Sequence, residues 1–344
     1  MGKIKVAVIG CGSIAKYRHL PEYQFNKNVE LIAVCDRNEE RVNRVAKQYG
    51  VKAYTKYEDL LASGTVDAVS VCTPNYLHAP ISIAALNNGI HVLCEKPMAT
   101  SEEEAKAMIE AAKTNGKKLM IGHNQRFVSS HQKARELIQN GEIGKIYSFR
   151  TAFGHGGPEG WSADGKASWF FKKEEACIGA MGDLGVHKAD LLRYLLGEEF
   201  VEVGAFVESN AKDFADVDDN AVCVLKTESG IIGTLAASWA YTGKEDNSTI
   251  IYGEKAILRL EEHPVYSLIV QYATGEVVNY ELGKIQSNDE GGQNNSHVIE
   301  EFVQAILNDE EPSIPGEEGF KSLSVILAAL QSSQSKQITR INKC

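Results

Sequence analysis

Short apolar runs alternate with stretches of helical periodicity through roughly the first third of the chain. Strands that alternate with helices are typical of βαβ units, which build a parallel sheet with helices on both faces. The pattern therefore predicts a doubly wound α/β domain. The predicted strands are residues 5–9, 29–35, 68–72, 91–94 and 118–122, and the predicted helices are residues 13–25, 39–49, 58–61, 80–88 and 101–114.

After about residue 145, polar and apolar positions alternate, and turn signals such as Glu228-Ser229-Gly230 lie between the runs. This pattern predicts antiparallel hairpins in one large, mostly antiparallel open sheet. Helices would cover one face, and the open face, rich in β-branched residues, predicts a homo-oligomer, either a dimer or a tetramer. The predicted strands are residues 145–153, 200–207, 220–227, 231–239, 249–252, 256–260, 266–272 and 276–282, and the predicted helices are residues 130–140, 180–196, 296–307 and 317–335.

The change of pattern divides the 344-residue chain into two domains. Residues 1–123 are predicted to form the dinucleotide-binding α/β domain with its doubly wound parallel sheet. Residues 124–344 are predicted to form an α+β domain that binds substrate and makes the oligomer contacts. A chain of this length supports two such cores.

Composition narrows the class of protein. The net charge of −10 argues against nucleic acid or an anionic membrane as the main partner. No apolar run approaches the ~20 residues of a membrane span, and residues 1–6 run into a strand without a secretory leader. Most of the seven cysteines lie in apolar strands, which is typical of reduced thiols. We therefore expect a cytoplasmic protein.

A glycine motif marks a nucleotide site at the N-terminus. Residues 10–15 fit Gly-x-Gly-x-x-Ala, directly after the first predicted strand and at the start of the first predicted helix. Gly10 permits the tight turn, Gly12 lets the backbone approach a pyrophosphate, and small Ala15 lets the helix pack on the strand. Free N–H groups at the helix start then bind the phosphates. The cofactor contacts expected here are Gly10, Gly12, Ser13 and Ile14.

The second predicted strand is followed by Asp36 and Arg37. The Asp36 carboxylate is expected to accept hydrogen bonds from the adenosine ribose, which favours NAD over NADP. The guanidinium of Arg37 could instead pair with a 2′-phosphate, or it could be a solvated loop side chain. The prediction is NAD, with NADP as the alternative.

The strand at residues 68–72 leads into Thr73-Pro74-Asn75, and His78 lies just beyond. Ligands of open α/β sheets bind at the carboxyl edge of the strands. Thr73, Pro74 and Asn75 are therefore expected to contact the cofactor. His78 is either a contact on the nicotinamide side or a residue of the helix start.

Two further segments carry candidate chemistry. Lys96 lies in Glu95-Lys96-Pro97, and Asp183 and His187 are four residues apart, so they share one face of a helix. A lysine, an aspartate and a histidine that converge suit proton transfer. The alternatives are a surface lysine and a metal site, in which His123 or His155 would join Asp183 and His187.

These motifs occur in one order along the chain: residues 10–15, Asp36, Thr73-Pro74-Asn75, Glu95-Lys96-Pro97 and the block at residues 182–194. In that order they resemble the Gfo/Idh/MocA family, named for glucose–fructose oxidoreductase and inositol dehydrogenase. The resemblance covers essentially the whole chain. It implies a Rossmann domain followed by an α+β domain, a site in the cleft between them, NAD(P) as cofactor and no metal.

By that resemblance Lys96 is the catalytic lysine, Asp183 orients substrate and His187 is the acid–base residue, while Glu95 joins the cofactor site. The chemistry agrees, because oxidation of a secondary alcohol removes a proton from oxygen and a hydride from carbon. A histidine with an ordinary pKa near ~6.5 suits the proton. The Lys96 ammonium can stabilise the developing alkoxide.

The substrate contacts are less well defined by the sequence. Gln125 and Arg126 lie where the chain leaves the first domain, and the family has an arginine at the Arg126 position. Trp161 and Trp169 lie in or beside a glycine-rich loop, and either could stack on a sugar ring or belong to the core. For Asp190 and Arg193 an intrahelical pair or a packing role is expected. The predicted substrate contacts are Lys96, Gln125, Arg126, Trp161, Asp183 and His187.

The sequence thus predicts an NAD(P)-dependent oxidoreductase that acts on a secondary hydroxyl of a sugar or a cyclic, inositol-like polyol. Two alternatives stay open. One is an elimination or glycoside-hydrolysis enzyme in which NAD is reduced only transiently. The other is a nucleotide-binding sensor without turnover.

Overall fold

The apolar runs of the N-terminal segment form one parallel sheet in the computed structural model, which describes residues 2–283 and 295–343. Its strand order is β3-β2-β1-β4-β5-β6, so the predicted doubly wound parallel sheet is confirmed. The short strand β3 was absent from the prediction because it is three residues long and only partly buried. The strands are β1 (Ile4–Ile9), β2 (Val29–Cys35), β3 (Lys52–Tyr54), β4 (Ala68–Val71), β5 (His91–Cys94) and β6 (Leu119–Ile121), and the helices are α1 (Leu20–Phe25), α2 (Glu39–Tyr49), α3 (Tyr57–Leu61), α4 (His78–Asn87) and α5 (Glu102–Asn115).

The second half forms a nine-stranded sheet in which only the β7–β10 pair is parallel, so the predicted large, mostly antiparallel sheet is confirmed. The order is β14-β13-β12-β11-β7-β10-β9-β8-β15. The strands are β7 (Ile146–Gly154), β8 (Phe200–Glu208), β9 (Asn220–Thr227), β10 (Ile232–Ser238), β11 (Thr249–Gly253), β12 (Ala256–Leu260), β13 (Leu268–Tyr272), β14 (Val277–Tyr280) and β15 (Thr339–Arg340), and the helices are α6 (Ser129–Gln139), α7 (Lys173–Ala176), α8 (Val186–Leu196), α9 (Val298–Asn308) and α10 (Gly316–Ser335).

The two faces of this sheet differ in what covers them. Side chains alternate between faces along a strand, and in β9 residues Cys223 and Leu225 are buried while Val224 is 54% exposed. Helix α10 packs on β8, and α6 and α8 pack on β12 and β7. The outward face keeps large apolar side chains in solvent, among them Phe206 at 77% and Ile232 at 53%.

The C-terminal segment returns to the first sheet. The Ile121 N–H donates a hydrogen bond to the Ile314 carbonyl at 3.0 Å, and Met120 forms an isolated β-bridge with Pro315. Helix α10 then packs against α5 and β6 of the first half as well as α8 of the second. The domain boundary between residues 123 and 124 stays a prediction.

No helix within residues 2–283 and 295–343 has the length and apolar character needed to cross a membrane. The six described cysteines are free thiols, and five of them are buried. Cys344 lies outside the described residues.

Candidate functional site

A cavity of about 420 Å³ lies between the two halves, at the carboxyl edge of the parallel sheet. Its volume is in the range of small-ligand sites. It brings together every site residue predicted from the sequence except Arg126. The predicted residues that line it are Gly10, Gly12, Ser13, Ile14, Asp36, Arg37, Thr73, Pro74, Asn75, His78, Glu95, Lys96, Gln125, Trp161, Asp183 and His187.

The glycine turn is shaped for a dinucleotide. Gly10 has φ +94°, and a Cβ there would lie 2.3 Å from the Cys72 carbonyl oxygen, so only glycine fits. A Cβ on Gly12 would meet nothing within 4 Å, and Gly12 lines the cavity. The chain then enters the helical segment that includes a π-helical turn at Ala15–His19 and continues as α1. The turn thus leaves room for a pyrophosphate beside free backbone N–H groups.

Asp36 supports this turn from the end of β2. Its Oδ2 accepts a hydrogen bond from the Cys11 N–H at 2.8 Å, and its Oδ1 accepts one from the Asn38 N–H at 2.8 Å. The carboxylate is 9% exposed and lines the cavity. It therefore fixes the geometry of the turn and presents negative charge at that end of the cavity.

The loop after β4 supplies polar groups to the same edge. The Thr73 hydroxyl is buried and has no hydrogen-bond partner among the described residues, while Asn75 donates to the Ala176 carbonyl of the second half at 2.8 Å. Both ring nitrogens of His78 face backbone carbonyls, those of Pro97 at 2.7 Å and Thr73 at 2.9 Å. His78 therefore ties two cavity loops together, and Thr73 keeps a hydroxyl available for a ligand.

Lys96 and Asp183 are joined across the cleft. The Lys96 ammonium donates to Asp183 Oδ1 at 2.9 Å and to the Asp183 carbonyl at 2.8 Å. The Trp239 indole N–H donates to the other carboxylate oxygen at 3.1 Å. Both carboxylate oxygens of Asp183 thus have protein partners, and they hold the ammonium at the cavity wall.

His187 enters the cavity from the start of α8, directly after a π-helical turn at Met181–Gly185. Such turns are rare and are frequently found at functional sites. Its Nδ1 is buried and has no partner within the described part of the chain. Burial lowers the pKa of His187 well below 6.5, and the positive charges of Lys96 and its neighbours add to this. The imidazole is therefore neutral at neutral pH and able to accept a proton.

Gly182 and Gly185 do not leave an open surface beside His187. A Cβ on Gly182 would lie 2.8 Å from the Ile178 side chain, and one on Gly185 would lie 2.9 Å from the Met181 sulfur. The two glycines instead let the π-helical turn pack closely on its neighbours.

Glu95 lies beneath the cavity wall and is 5% exposed. Its Oε1 is 2.9 Å from His19 Nε2 and 3.4 Å from Arg18 Nη1. Burial alone would raise the pKa of Glu95, but His19, Arg18 and Lys96 lower it to about 2. A charged Glu95 therefore anchors the backbone that carries Lys96.

Arg126 is directed away from the cavity. Its guanidinium donates to both oxygens of Asp190 at 2.6 and 2.8 Å and to Glu318 at 2.8 Å. Arg193 joins the same cluster through Glu199 and Glu318, and its nearest approach to Asp190 is 3.7 Å. These contacts give Arg126 and Asp190 a structural role between α8 and α10, and they lend no support to a substrate role for Arg126.

The end of the cavity beyond Lys96 is lined with amides and one carboxylate. Gln125 Nε2 donates to Asn247 Oδ1 at 3.3 Å, and Asn247 Nδ2 donates to Glu245 Oε1 at 3.2 Å. The side-chain amide oxygens of Gln125 (Oε1) and Asn124 (Oδ1) are buried and lack partners in the described ranges. These two oxygens are available to accept hydrogen bonds from a ligand.

An aromatic loop covers the other side. The Ser13 hydroxyl donates to the Trp161 carbonyl at 3.1 Å, which joins this loop to the glycine turn. The Trp161 ring lies edge-on to Phe170 with centroids 5.2 Å apart, and Phe170 stacks on Trp169 at 4.0 Å. Trp161 and Trp169 thus line the cavity and pack in one aromatic cluster.

Three residues of the site escaped prediction. Trp239 ends a predicted strand, Asn247 lies in a loop, and Lys188 follows His187 on the same helix. Lys188 is fully buried, its ammonium donates to the Asn247 carbonyl at 2.7 Å, and burial lowers its pKa to about 7. The sequence signal that could have identified Lys188 is a lysine within a helix whose other residues are mostly apolar and buried. Its contact fixes the loop that carries Asn247.

Within the described ranges, no group of three or more His, Cys, Asp or Glu side chains is arranged to hold a metal ion. His123 lies near His187 with ring centroids 6.5 Å apart, and it pairs with Asp190 only at 3.9 Å. The alternative of a metal site at Asp183 and His187 therefore has no support in these residues.

Both halves of the chain match family models. Residues 4–123 match the model of an oxidoreductase family with an NAD-binding Rossmann fold, and residues 131–259 match the model of the GFO/IDH/MocA C-terminal domain. Together these matches cover well over half of the chain.

Individual proteins are similar along most of their length. Levoglucosan dehydrogenase of Pseudarthrobacter phenanthrenivorans is 30% identical over 281 residues, which are 72% of this chain and 71% of that protein. Myo-inositol 2-dehydrogenase of Thermotoga maritima is 26% identical over 347 residues, covering 99% of both. A solved structure of levoglucosan dehydrogenase in complex with NADH is similar with a TM-score of 0.85 at 26% identity, covering 99% of this chain and 100% of that one.

Proposed function

The chain belongs to the Gfo/Idh/MocA family of NAD-dependent oxidoreductases, and on that premise we propose that it oxidises a secondary hydroxyl of a neutral sugar or cyclic polyol, or catalyses the reverse. The observation that carries this proposal is the joining of Lys96 to Asp183 at 2.9 Å beside a neutral, buried His187, all lining one cavity with the glycine turn. These groups match the needs of hydride transfer from an alcohol.

The proposed cofactor site consists of the glycine turn, Asp36 and Thr73-Pro74-Asn75. Its features fit NAD, because Gly12 leaves open space, Thr73 has a buried hydroxyl without a partner in the described chain, and Asp36 presents a carboxylate. When bound, NAD supplies the nicotinamide that accepts or returns the hydride. The residues of this chain hold the cofactor, exclude water and transfer the proton of the substrate hydroxyl.

In the proposed mechanism the imidazole of His187 takes the proton from the substrate hydroxyl. Its low pKa keeps it in the accepting form. The Lys96 ammonium donates a hydrogen bond to the same oxygen and stabilises the negative charge that develops there. Asp183 and Trp239 hold Lys96 in this position.

The polar groups beyond Lys96 support a neutral polyol as substrate. The side-chain amide oxygens of Asn124 and Gln125, which have no partner in the described part of the chain, can accept hydrogen bonds, and sugar hydroxyls donate them. The phosphate group of a sugar phosphate adds hydrogen-bond acceptors and negative charge, and it would be repelled by the Glu245 carboxylate in the cavity lining. We therefore expect unphosphorylated sugars or inositols to be preferred to their phosphates.

The direct test is a substrate panel followed by NADH absorbance. Myo-inositol, scyllo-inositol, glucose, xylose, galactose and their phosphate esters would each be offered with NAD and with NADP. We expect NADH formation with a neutral member and little with its phosphate ester. Tight binding of NAD with no net NADH across the panel would contradict a simple neutral polyol as substrate and would favour a modified sugar, transient redox chemistry or a sensor.

The pH dependence of oxidation tests the role of His187. The pKa of His187 lies well below 6.5, so it stays able to accept a proton as the pH falls through 6.5. We expect kcat/KM for oxidation, measured from about pH 8 to about pH 5, to stay level to pH 6.5 and to fall only below it. The reverse reaction needs the protonated ring, so it should accelerate as the pH falls.

The exposed histidine His263 provides the control, since His263→Asn should leave both profiles unchanged. An acid limb at or above pH 6.5 that disappears in His187→Asn would contradict the lowered pKa.

We also propose that a second copy of this chain covers the open face of the large sheet, in the cytoplasm. Its apolar side chains, among them Phe206, Val224 and Ile232, lie on neighbouring strands and stay at least half exposed. A two-fold interface brings the same patch of two copies together, so an exposed apolar face of this kind can be buried against a second copy. The six free described thiols support a reducing compartment.

Phe206→Asp should shift the mass measured by light scattering from a dimer or larger oligomer toward the monomer, because a charge would be buried in an apolar interface. Phe25→Asp is the matched control, since Phe25 is 86% exposed on the first half of the chain. A monomeric unsubstituted protein, or dissociation by both variants alike, would contradict this interface.

A further inference from the structure

Arg37 reaches across the mouth of the cavity to the second half of the chain. Its Nη2 lies 2.8 Å from Glu175 Oε2, a contact between residues 138 positions apart. Glu175 lies in the short helix α7 and is 8% exposed, whereas the Arg37 side chain is 69% exposed. The other oxygen of Glu175 accepts from Lys172 Nζ at 3.1 Å. Both carboxylate oxygens are therefore in use, and the guanidinium is held against a nearly buried acid.

A second pair repeats this arrangement nearby. Arg41 Nη2 lies 2.7 Å from Asp164 Oδ1, in the loop that follows Trp161. Its Nη1 is 3.8 Å from Asp36 Oδ2. Acids from the second half thus hold both guanidiniums at the Asp36 end of the cavity.

This end is where the fold receives the adenosine ribose of a dinucleotide. NADP differs from NAD only by a phosphate on the ribose 2′-oxygen. That dianion is bound well by a guanidinium that is not already paired with an acid, and it is repelled by carboxylates. With Arg37 and Arg41 both held, the 2′-phosphate would face Asp36, Asp164 and Glu175 and would have to break an existing ion pair.

We infer that Glu175 is a specificity-determining residue, which selects NAD over NADP by holding Arg37 away from a 2′-phosphate, and that Asp164 does the same for Arg41. This inference deepens the proposed function and rests on it for the cofactor. Cofactor choice is then made jointly by the first half, through Asp36, and by the second half, which contributes acids from α7 and the Trp161 loop.

The test measures binding and needs no substrate. Dissociation constants for NADH and NADPH would be obtained by fluorescence titration for the unsubstituted protein, Glu175→Gln and Glu174→Gln. Release of Arg37 should improve NADPH binding relative to NADH by about 10-fold or more, the worth of one charge-assisted hydrogen bond. Glu174 is exposed and adjacent, so Glu174→Gln should leave the ratio unchanged.

The double variant Arg37→Ala/Glu175→Gln separates release of Arg37 from simple loss of negative charge. The gain in NADPH binding should vanish in it. A gain that persists would mean that charge alone, or Lys56 on the same cavity wall, binds the phosphate, and this would overturn the inference. An unchanged ratio in Glu175→Gln would also overturn it.

Arg37→Ala alone tests the inference without altering Glu175. Since Arg37 is already committed, its loss should leave the NADPH-to-NADH ratio unchanged. A tenfold weakening specific to NADPH would show that Arg37 already binds the 2′-phosphate, contrary to the inference. A protein that shows the expected shifts but oxidises no polyol would contradict the proposed substrate and leave the cofactor inference standing.

Discussion

Replacing Lys96 with methionine should lower kcat by about 10²–10⁴-fold and should leave NADH binding close to that of the unsubstituted protein. Methionine keeps the unbranched chain but removes the ammonium, so the developing alkoxide loses its hydrogen-bond donor. The Trp239 indole still holds one oxygen of Asp183, which limits the disturbance to the wall of the cavity. Steady-state rates with the best substrate of the panel, together with NADH titration, measure both quantities.

Lys47→Met is the matched control, because Lys47 is exposed on α2 in the same half of the chain. Its kcat should be unchanged. An unaltered kcat in Lys96→Met would contradict the assignment of Lys96 as the catalytic lysine. An equal loss of NADH binding and turnover would make Lys96 a cofactor-binding group without a role in the chemical step.

The second large effect concerns stability. Asp190→Asn removes the charge that both nitrogens of Arg126 bind at 2.6 and 2.8 Å, and that Arg193 approaches to 3.7 Å. Asp190 is 1% exposed, and its loss leaves the buried Arg126 guanidinium with the more exposed Glu318 as its remaining carboxylate partner among the described residues. We expect a loss of about 3–5 kcal/mol in the free energy of unfolding. The urea midpoint, followed by tryptophan fluorescence, should fall accordingly.

The pH dependence gives this prediction a second readout. Burial raises the pKa of Asp190, but His123, Arg126 and Arg193 outweigh it and hold the pKa below 3.8. A carboxyl whose pKa is lowered by folding stabilises the protein above its unfolded pKa, and that contribution is lost as the pH falls through the folded value. The difference between Asp190→Asn and the unsubstituted protein should therefore persist at neutral pH and shrink below pH 3.8. Asp59→Asn, on an exposed face of α3, should not move the midpoint.

Local patterns were enough to predict most strands of both sheets and the glycine turn that lines the cavity. The apolar run at residues 5–9 and the glycine motif after it specify a strand, a tight turn and a helix within a short window. Lys96 and His187 could be paired only through the family resemblance, because nothing local joins two segments so far apart in the chain.

Contacts between distant residues account for what could not be predicted. The Trp239 indole on Asp183, the Lys188 ammonium on Asn247 and the Arg37–Glu175 pair depend on how the two halves pack. The π-helical turn at Met181–Gly185 also escaped, since a periodicity of 3.6 residues describes its neighbours equally well. Arg126 was predicted to contact substrate because the sequence places it where the chain leaves the first domain. Its ion pair with Asp190 could not be read from the sequence.

The return of residues 314–315 to strand β6 has a consequence for how the protein is made. Strand β6 is the edge of the parallel sheet, and its partner is supplied by a segment that is synthesised only after strands β7 to β14 of the second sheet. Until then the edge has unpaired backbone groups, the condition in which sheets join to other chains. Synthesis that stops before Ile314 should therefore yield an aggregation-prone fragment, because the first sheet depends on residues 314–315 to cover its own edge.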